Sequence, residues 1–332
     1  MFAHASAPCR IGIAGGGTDL PVWVNSGRVG RCLSLAIDVR AHAVAITRPD
    51  RRVVASYRRL DEATCATEIA NGLIRESALM HGWEDGFEVH TMSEVSSRGS
   101  GLGASSALAV ALAAVFSRMT CLAKAQVVDP KWMDGGEPAF RQTAAEHAWK
   151  VEIERLRRPV GRQDHVAAAH GGLRLYRFEG TTATIEREFS RDDARWLAER
   201  LVLVELPSGH DAREVLSGAM DIIALERAAE AVEVAIRAVE TRDILALGEA
   251  LRLGHESKKS TPGAITETVQ TALLDALTAD GVSGGKVTGA GGGGHLVIAC
   301  EPGSAERVMT RARLPVRGVR PDFNGVTSEV QP

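Results

Sequence analysis

The chain has 332 residues, of which 45% are hydrophobic and 24% charged, and a net charge of −3. That is the balance of an ordinary globular protein with room for about two domains and a large core, and it carries no sign of nucleic-acid binding. No apolar run is expected to reach the roughly 18–20 residues that span a bilayer, and the opening Met-Phe-Ala-His-Ala-Ser-Ala-Pro lacks the basic and apolar regions of a secretory signal.

Five cysteines, Cys9, Cys32, Cys65, Cys121 and Cys300, are scattered with no C-x-x-C pair, as expected of reduced thiols in a cytoplasmic protein. His165 and His170 are five residues apart, on different helix faces, so no structural metal site is expected.

Near the start, Ile11 and Ile13 alternate as in a strand, which Gly15, Gly16 and Gly17 end in a loop carrying Thr18 and Asp19. Adjacent glycines let a backbone pass close to a ligand. Asp19 can hold sugar hydroxyls or cap a hairpin turn. Leu33 to Ile46 and Val53 to Tyr57 read as two or three antiparallel strands, with Pro49-Asp50 turning between them. Thr67 to Met80 reads as a helix, and Phe87 to Val95 alternates as a half-buried strand.

Ser96 to Leu112 follows, S-S-R-G-S-G-L-G-A-S-S-A-L-A-V-A-L. Gly99, Gly101 and Gly103 precede Ser105, Ser106 and an apolar helix over Ala107 to Met119. Glycines that bring N–H groups to a helix start suit phosphate, and the alternative is a turn capped by one of the serines. A dinucleotide-binding unit fits poorly, because Val127-Val128-Asp129 is short for its second strand and Pro130 follows. No Lys-Ser or Lys-Thr pair completes a Walker loop.

Asp129 to Pro138 reads as a loop and Glu137 to Arg157 as one long helix. Phe140, Ala144, Ala148 and Val151 define its apolar side, on or beside which Glu152 needs a partner. Asp164 opens a short Ala-rich helix after Gly161, as an N-cap or as a functional carboxylate. Leu173 to Phe189 reads as a hairpin, Arg191 to Arg200 as a helix, and Leu201 to Leu206 as a strand opening a second domain. Glu214 to Gly254 gives two helices and Thr268 to Leu277 another, with Lys258 and Lys259 between them. Lys286-Val-Thr and His295 to Cys300 flank a glycine loop that reads as packed against a ligand or another backbone.

Four of these segments, in order, resemble one family. Gly99 to Ala107 is similar to the phosphate loop of the GHMP kinases (galactokinase, homoserine, mevalonate and phosphomevalonate kinases), with Ser96-Ser97-Arg98 where two prolines commonly start it. Ala7-Pro-Cys-Arg10 resembles that family's A-P-G-K, with Arg10 at the cation's place. Its sequel G-G-G-T-D-L-P resembles the sugar-1-kinase branch that includes heptose 7-phosphate kinases. Gly161 to Gly172 resembles that branch's G-K-Q-D-Q-Y-A-A-A-F-G-G, departing at Arg162, His165 and Val166. Lys286 to Gly294 resembles the family's K-x-x-G-A-G-G-G-G.

The resemblance implies an α/β (α+β) protein of two domains, ribosomal-protein-S5-like over residues 1–190 and ferredoxin-like over 191–332, with the site between them. It implies ATP-dependent phosphorylation of the C1 hydroxyl of a sugar phosphate, above all D-glycero-D-manno-heptose 7-phosphate. Gly99, Ser100, Gly101, Leu102, Gly103, Ala104, Ser105 and Ser106 are expected to hold ATP, and Ser105 and Glu152 to bind Mg²⁺. Asp164 is expected to take the hydroxyl proton and Arg10 to offset charge. Gly16, Gly17, Thr18, Asp19, Gly291 and Gly292 are expected on the substrate. Lys258 and Lys259 fit a distal phosphate or a solvated helix end. The expected partner is a sugar or sugar phosphate, not nucleic acid or membrane, with a homodimer left open. Rival readings are another sugar-1-kinase (octose phosphate, fucose or galactose), a glycosidase using Asp19 with Asp164 or Glu152, and a non-catalytic sugar sensor.

Overall fold

A computed structural model describes residues 1–95, 99–123, 138–207 and 221–331. The expected loop at 129–138 lies outside them but for Pro138, as do Glu137, Glu214 and Ser96-Ser97-Arg98.

Two long strands form the frame, β1 (Phe2–Ala14) and β2 (Gly30–Thr47), paired antiparallel. Ala3, Ala5, Ala7, Cys9, Ile11 and Ile13 are fully buried, so β1 is a central strand and not an edge. Its register shifts at Pro8/Cys9, where proline lacks a ladder donor, just before Arg10. The far edge of β2 holds two partners, β5 (Phe87–Ser93) and β6 (Leu173–Glu179). β3 (Val53–Ser56), β4 (Leu60–Ala63), β7 (Thr182–Glu188) and β12 (Thr327–Gln331) bring this sheet to eight strands among the described residues. The strands expected over 33–57 thus resolve into one continuous strand and a short one, and β3 runs parallel to β5.

Helices α1 (Gly72–Met80), α2 (Ala104–Ala123), α3 (Pro138–Trp149) and α4 (Gln163–His170) gather on this sheet. Buried alanines at 107, 109, 111, 113 and 114 let α2 lie close against β1 and β2. By length and composition α2 passes as a membrane span, at mean hydropathy 1.7, which corrects the sequence-based expectation that no stretch does. Arg118 and the hydroxyl residues interrupt the apolar run but leave its average high enough for a span, and 67% of that window is buried here, as in a core helix. The long helix expected to Arg157 is also corrected. Regular α geometry stops at Trp149, and a π-helical turn spans Lys150–Arg155. The extra residue per turn brings both Val151 and Glu152 inside.

The second sheet is antiparallel, in the order β11 (Val316–Gly318), β8 (Leu201–Glu205), β10 (His295–Cys300), β9 (Val282–Val287). It begins after α5 (Arg191–Glu199), just past the division expected at 190 and 191, and β12 recrosses that division to pair with β1. α6 (Ile222–Thr241) and α7 (Ile244–Glu256) bridge the sheets, with Leu225, Val232, Leu247 and Leu251 in the larger core. α8 (Glu267–Leu277) and α9 (Ala305–Ala312) complete a smaller core around Val204, Leu273, Leu296 and Ile298. α7 meets β9 backbone to backbone. A Cβ on Gly248 would lie 2.2 Å from the Ser283 carbonyl oxygen, and one on Gly284 2.3 Å from that of Gly248. This close approach sets the end of α7 and β9 on one wall of the cleft described next.

Candidate active site

A cleft of about 1130 Å³ lies between the end of β1, the glycine loop before α2, the start of α4 and the α7–β9 wall. Gly99, Gly101 and Gly103 have φ of +69°, +72° and +73°, a backbone that side chains rarely adopt. At Gly101 space forbids one as well, because a Cβ would stand 2.3 Å from Thr288 Oγ1. Gly99, Ser100, Gly101, Gly103, Ala104, Ser105 and Ser106 line the cleft. Leu102 does not. It is fully buried, and its carbonyl accepts the Arg10 backbone N–H at 2.9 Å. The loop runs straight into the 20-residue α2, whose N-terminal N–H groups and dipole favour an anion there.

The late glycine loop braces this one. A Cβ on Gly289 would be 2.6 Å from Gly101 Cα, one on Gly294 would be 2.0 Å from the Gly99 carbonyl oxygen, and His295 Nδ1 donates to the Ser100 carbonyl at 2.8 Å. Gly289 and Ala290 line the cleft. Gly291 and Gly292, expected on the substrate, instead pack on Ala264, whose carbonyl accepts the Gly292 N–H at 2.7 Å.

Opposite the glycine loop, Arg10 grips Asp164 with both arms of its fork. Nε donates to Oδ1 and Nη2 to Oδ2, each at 2.7 Å, while Nη1 donates to the Gly101 carbonyl at 2.8 Å. The guanidinium is 6% exposed and the carboxylate 24%. A lysine could not make this three-way bridge, because an ammonium offers no planar fork. Gly103 permits it: a Cβ there would press on Asp164 Oδ2 at 3.3 Å and Arg10 Cζ at 3.4 Å.

Asp164 is therefore not the cap of α4. That part falls to Asp19, which accepts the Gln163 backbone N–H and the Gln163 Nε2–H, both at 2.9 Å. Asp19 is 2% exposed, and burial raises its pKa against the opposing pull of the Gln163 N–H. Neither Asp19 nor Thr18 lines the cleft. The Thr18 hydroxyl donates to the Gly15 carbonyl at 2.8 Å and accepts the Arg31 N–H at 3.0 Å. The sugar contacts expected of both are not available in this arrangement, because their polar atoms already close a buried turn. Gly16 and Gly17 do line the cleft. So does Gln163, which Asp19 holds with Oε1 beside Gly12 and Gly16.

Glu152, on the π-helical turn, is 1% exposed and accepts from four groups. Ser105 Oγ and Ser106 Oγ donate to it at 3.1 Å each, His165 Nε2 lies 2.8 Å away, and Arg158 pairs with Oε1. Burial opposes ionisation, but the His165 hydrogen bond and charge, with the Arg158 guanidinium, outweigh it and hold the carboxyl at about 2. An ionised carboxylate beside two hydroxyls is a hard-oxygen donor set. It fits a magnesium ion, which takes one or two carboxylates and otherwise substrate phosphates.

The remaining residues sort by contact. His170 bonds Gln142 Oε1 at 3.1 Å, away from the cleft, and burial takes it down to about 4. Lys259 pairs with Glu256 at 2.7 Å, also outside the cleft, whereas Lys258 lines it. Lys286 and Arg158 line the cleft too, and sequence reasoning gave neither a role. The signal for Lys286 was its place at the head of a glycine motif. Arg158 carried none, standing in a run of arginines. Asp19 is neither exposed nor in the cleft, so the pair that the glycosidase reading forms from Asp19 with Asp164 or Glu152 is not assembled there.

Comparison with known proteins adds to this geometry. The family model described as GHMP kinases N terminal domain matches residues 65–172, and that described as GHMP kinases C terminal matches residues 235–315, together more than half of the chain. A D-glycero-alpha-D-manno-heptose 7-phosphate kinase of Campylobacter jejuni is 25% identical over 322 residues, covering 90% of this chain and 89% of that one. Among solved structures, a D-glycero-D-manno-heptose 1-phosphate kinase from Bacteriodes thetaiotaomicron superposes with a TM-score of 0.75 at 19% identity, covering 99% of both chains. The Methanococcus jannaschii mevalonate kinase does so with 0.69 at 15% identity, over 96% of this chain and 98% of that one. At such identities the structural likeness speaks for the fold alone.

Proposed function

This chain belongs to the GHMP kinases, a family of phosphotransferases that use ATP, and on that premise we propose that it phosphorylates the anomeric C1 hydroxyl of a sugar phosphate, D-glycero-D-manno-heptose 7-phosphate above all. The observation that carries the reading is the Arg10 fork, which ties the Asp164 carboxylate to the glycine loop through the Gly101 carbonyl. A carboxylate fixed beside an anion-binding loop can receive a proton from a hydroxyl just where a phosphoryl group arrives.

Phosphoryl transfer runs through a loose transition state, so the protein contributes position and charge rather than covalent chemistry. N–H groups from Gly99 to Ser106 hold the nucleotide phosphates at the start of α2. Tyr57, Leu73, Met92 and Leu108 also line the cleft and offer apolar surface to a nucleobase. Asp164 orients the acceptor hydroxyl and takes its proton. Its oxygens each accept from Arg10, yet a carboxylate oxygen has a second lone pair to offer. Arg10 offsets negative charge at the transferring group. Ser105 and Glu152 would hold Mg²⁺, which when bound supplies charge neutralisation on the phosphates. Gln163, with Gly16 and Gly17, takes the sugar-facing place first expected of Asp19.

The test is ATP consumption against heptose 7-phosphate, the unphosphorylated heptose, galactose and fucose, with NMR locating the new phosphate. Turnover of hexoses with none on heptose phosphate, or a product phosphorylated away from C1, would overturn this reading.

A further inference from the structure

Two buried lysines on the cleft wall take no part in the chemistry derived so far. Lys286 on β9 is 4% exposed and Lys258, just past α7, is 9% exposed, and both line the cleft. Lys286 Nζ donates to the Ile13 carbonyl at 2.8 Å, and Lys258 Nζ donates to the carbonyls of Val287, at 3.0 Å, and Gly289. An ammonium has three N–H donors, so Lys286 keeps two and Lys258 one. Among the described residues neither lysine meets a carboxylate. Asp164 acts on Lys258 electrostatically, but Arg10 already engages both of its oxygens.

Lys258 and Lys286 thus bring three spare N–H donors to the cleft, in a place largely removed from water. Buried donors in that number call for an acceptor, and an anion also favours the protonated form of both lysines. Burial, joined by repulsion from Lys286 at Lys258 and from Arg10 at Lys286, takes the Lys286 ammonium down to about 7 and Lys258 well below its ordinary value. An anion between them reverses that penalty. The anchor of Lys286, Ile13, stands three residues further along β1 than Arg10, about 10 Å at the rise of a strand, toward the Gly15–Gly17 loop. Gly254 packs against the Lys286 side chain, where a Cβ would stand 3.3 Å from Cδ.

We propose that Lys286 and Lys258 form a subsite for a phosphate group carried by the acceptor, adjoining the Asp164–Arg10 pair. The word acceptor rests on the kinase reading above, which this deepens by naming what recognises the second phosphate. Lys286 thereby takes the place that the sequence suggested for Lys259.

The probe is inorganic phosphate, titrated calorimetrically into the intact protein, free and saturated with Mg²⁺ and the non-hydrolysable analogue AMP-PNP. In the loaded protein the nucleotide's own phosphates occupy the glycine loop. Wild type is expected to bind phosphate in both forms. Lys286→Met and Lys258→Met should each weaken that binding about tenfold or more, as loss of a charge-assisted hydrogen bond does, with AMP-PNP affinity kept. Melting curves identify a variant that fails to fold, in which case the other lysine supplies the reading. Phosphate binding that neither substitution alters overturns the proposal. So does binding that AMP-PNP abolishes in wild type, because the lysines then serve the transferring group. Lost turnover on every sugar with lysine-dependent phosphate binding intact would count against the kinase reading and leave the subsite standing.

Discussion

Asp164→Asn separates the proposed base from its structural surroundings. The substitution keeps shape and one carbonyl oxygen, so one of the two 2.7 Å bonds from Arg10 can survive. At the other, an amide N–H₂ meets a guanidinium N–H, donor against donor. Losing a charged hydrogen bond costs about 1.5–3 kcal/mol, and breaking a fully buried pair about 3–5 kcal/mol. Asp164 retains 24% exposure and one bond, which puts the expected loss near the lower figure, about 2 kcal/mol, or a Tm drop of roughly 4–8 °C at most. Helix α4 should stay intact, because its first N–H is held by Asp19 and not by Asp164. Loss of a general base lowers kcat by about 10²–10⁴-fold, with AMP-PNP affinity largely kept. Arg10→Lys is the companion variant, since it breaks the fork but leaves the carboxylate. It should lose comparable stability and only about tenfold in kcat. Turnover, nucleotide affinity and Tm measured on the same preparations decide the matter. Near-normal turnover of Asp164→Asn removes it from the mechanism, and equal rate losses in the two variants would show that it acts only by positioning Arg10.

Three further outcomes follow from the same geometry. Gly101→Ala, which must push on Thr288 and adopt φ +72°, should lose AMP-PNP affinity, and unchanged affinity in the folded variant would refute the loop assignment. Asp19→Ala removes both acceptors from Gln163 and should cost about 1–3 kcal/mol in thermal stability along with kcat. A raised sugar KM with unchanged Tm would instead restore Asp19 as a direct sugar contact. His81, His170 and His255 are each lowered by burial from 6.5 to about 4. Between those values the unfolded chain binds more protons, so stability is full above about pH 6.5 and is lost as pH falls toward 4. The Tm of the free protein should therefore fall between pH 7 and pH 5, before the Glu152 carboxyl begins to titrate, and a flat Tm across that range would contradict the buried neutral histidines.

What the sequence determined by itself was whatever short-range chemistry dictates. Three glycines before a helix of alanines can only be a tight, N–H-rich turn feeding a buried helix, and the positive φ values at Gly99, Gly101 and Gly103 are that requirement met. Alternation named the strands, and the order of four motifs named the family and with it the two-sheet fold. Positions whose meaning depends on a distant partner were not legible in this way. Asp19 looked like a ligand because nothing local says that Gln163, 144 residues on, will use its carboxylate. For Glu152 the period says no more than on or beside the apolar face, because a π-helical turn leaves no mark in a 3.6-residue period. Lys286 and Lys258 stand together only because Gly248 and Gly284 let α7 lie on β9 backbone to backbone. Periodicity records which face of its own element a residue occupies. It holds no information on which element will cover that face, and the tertiary structure alone decides whether a buried charge finds a cap, a counter-charge or an open cleft.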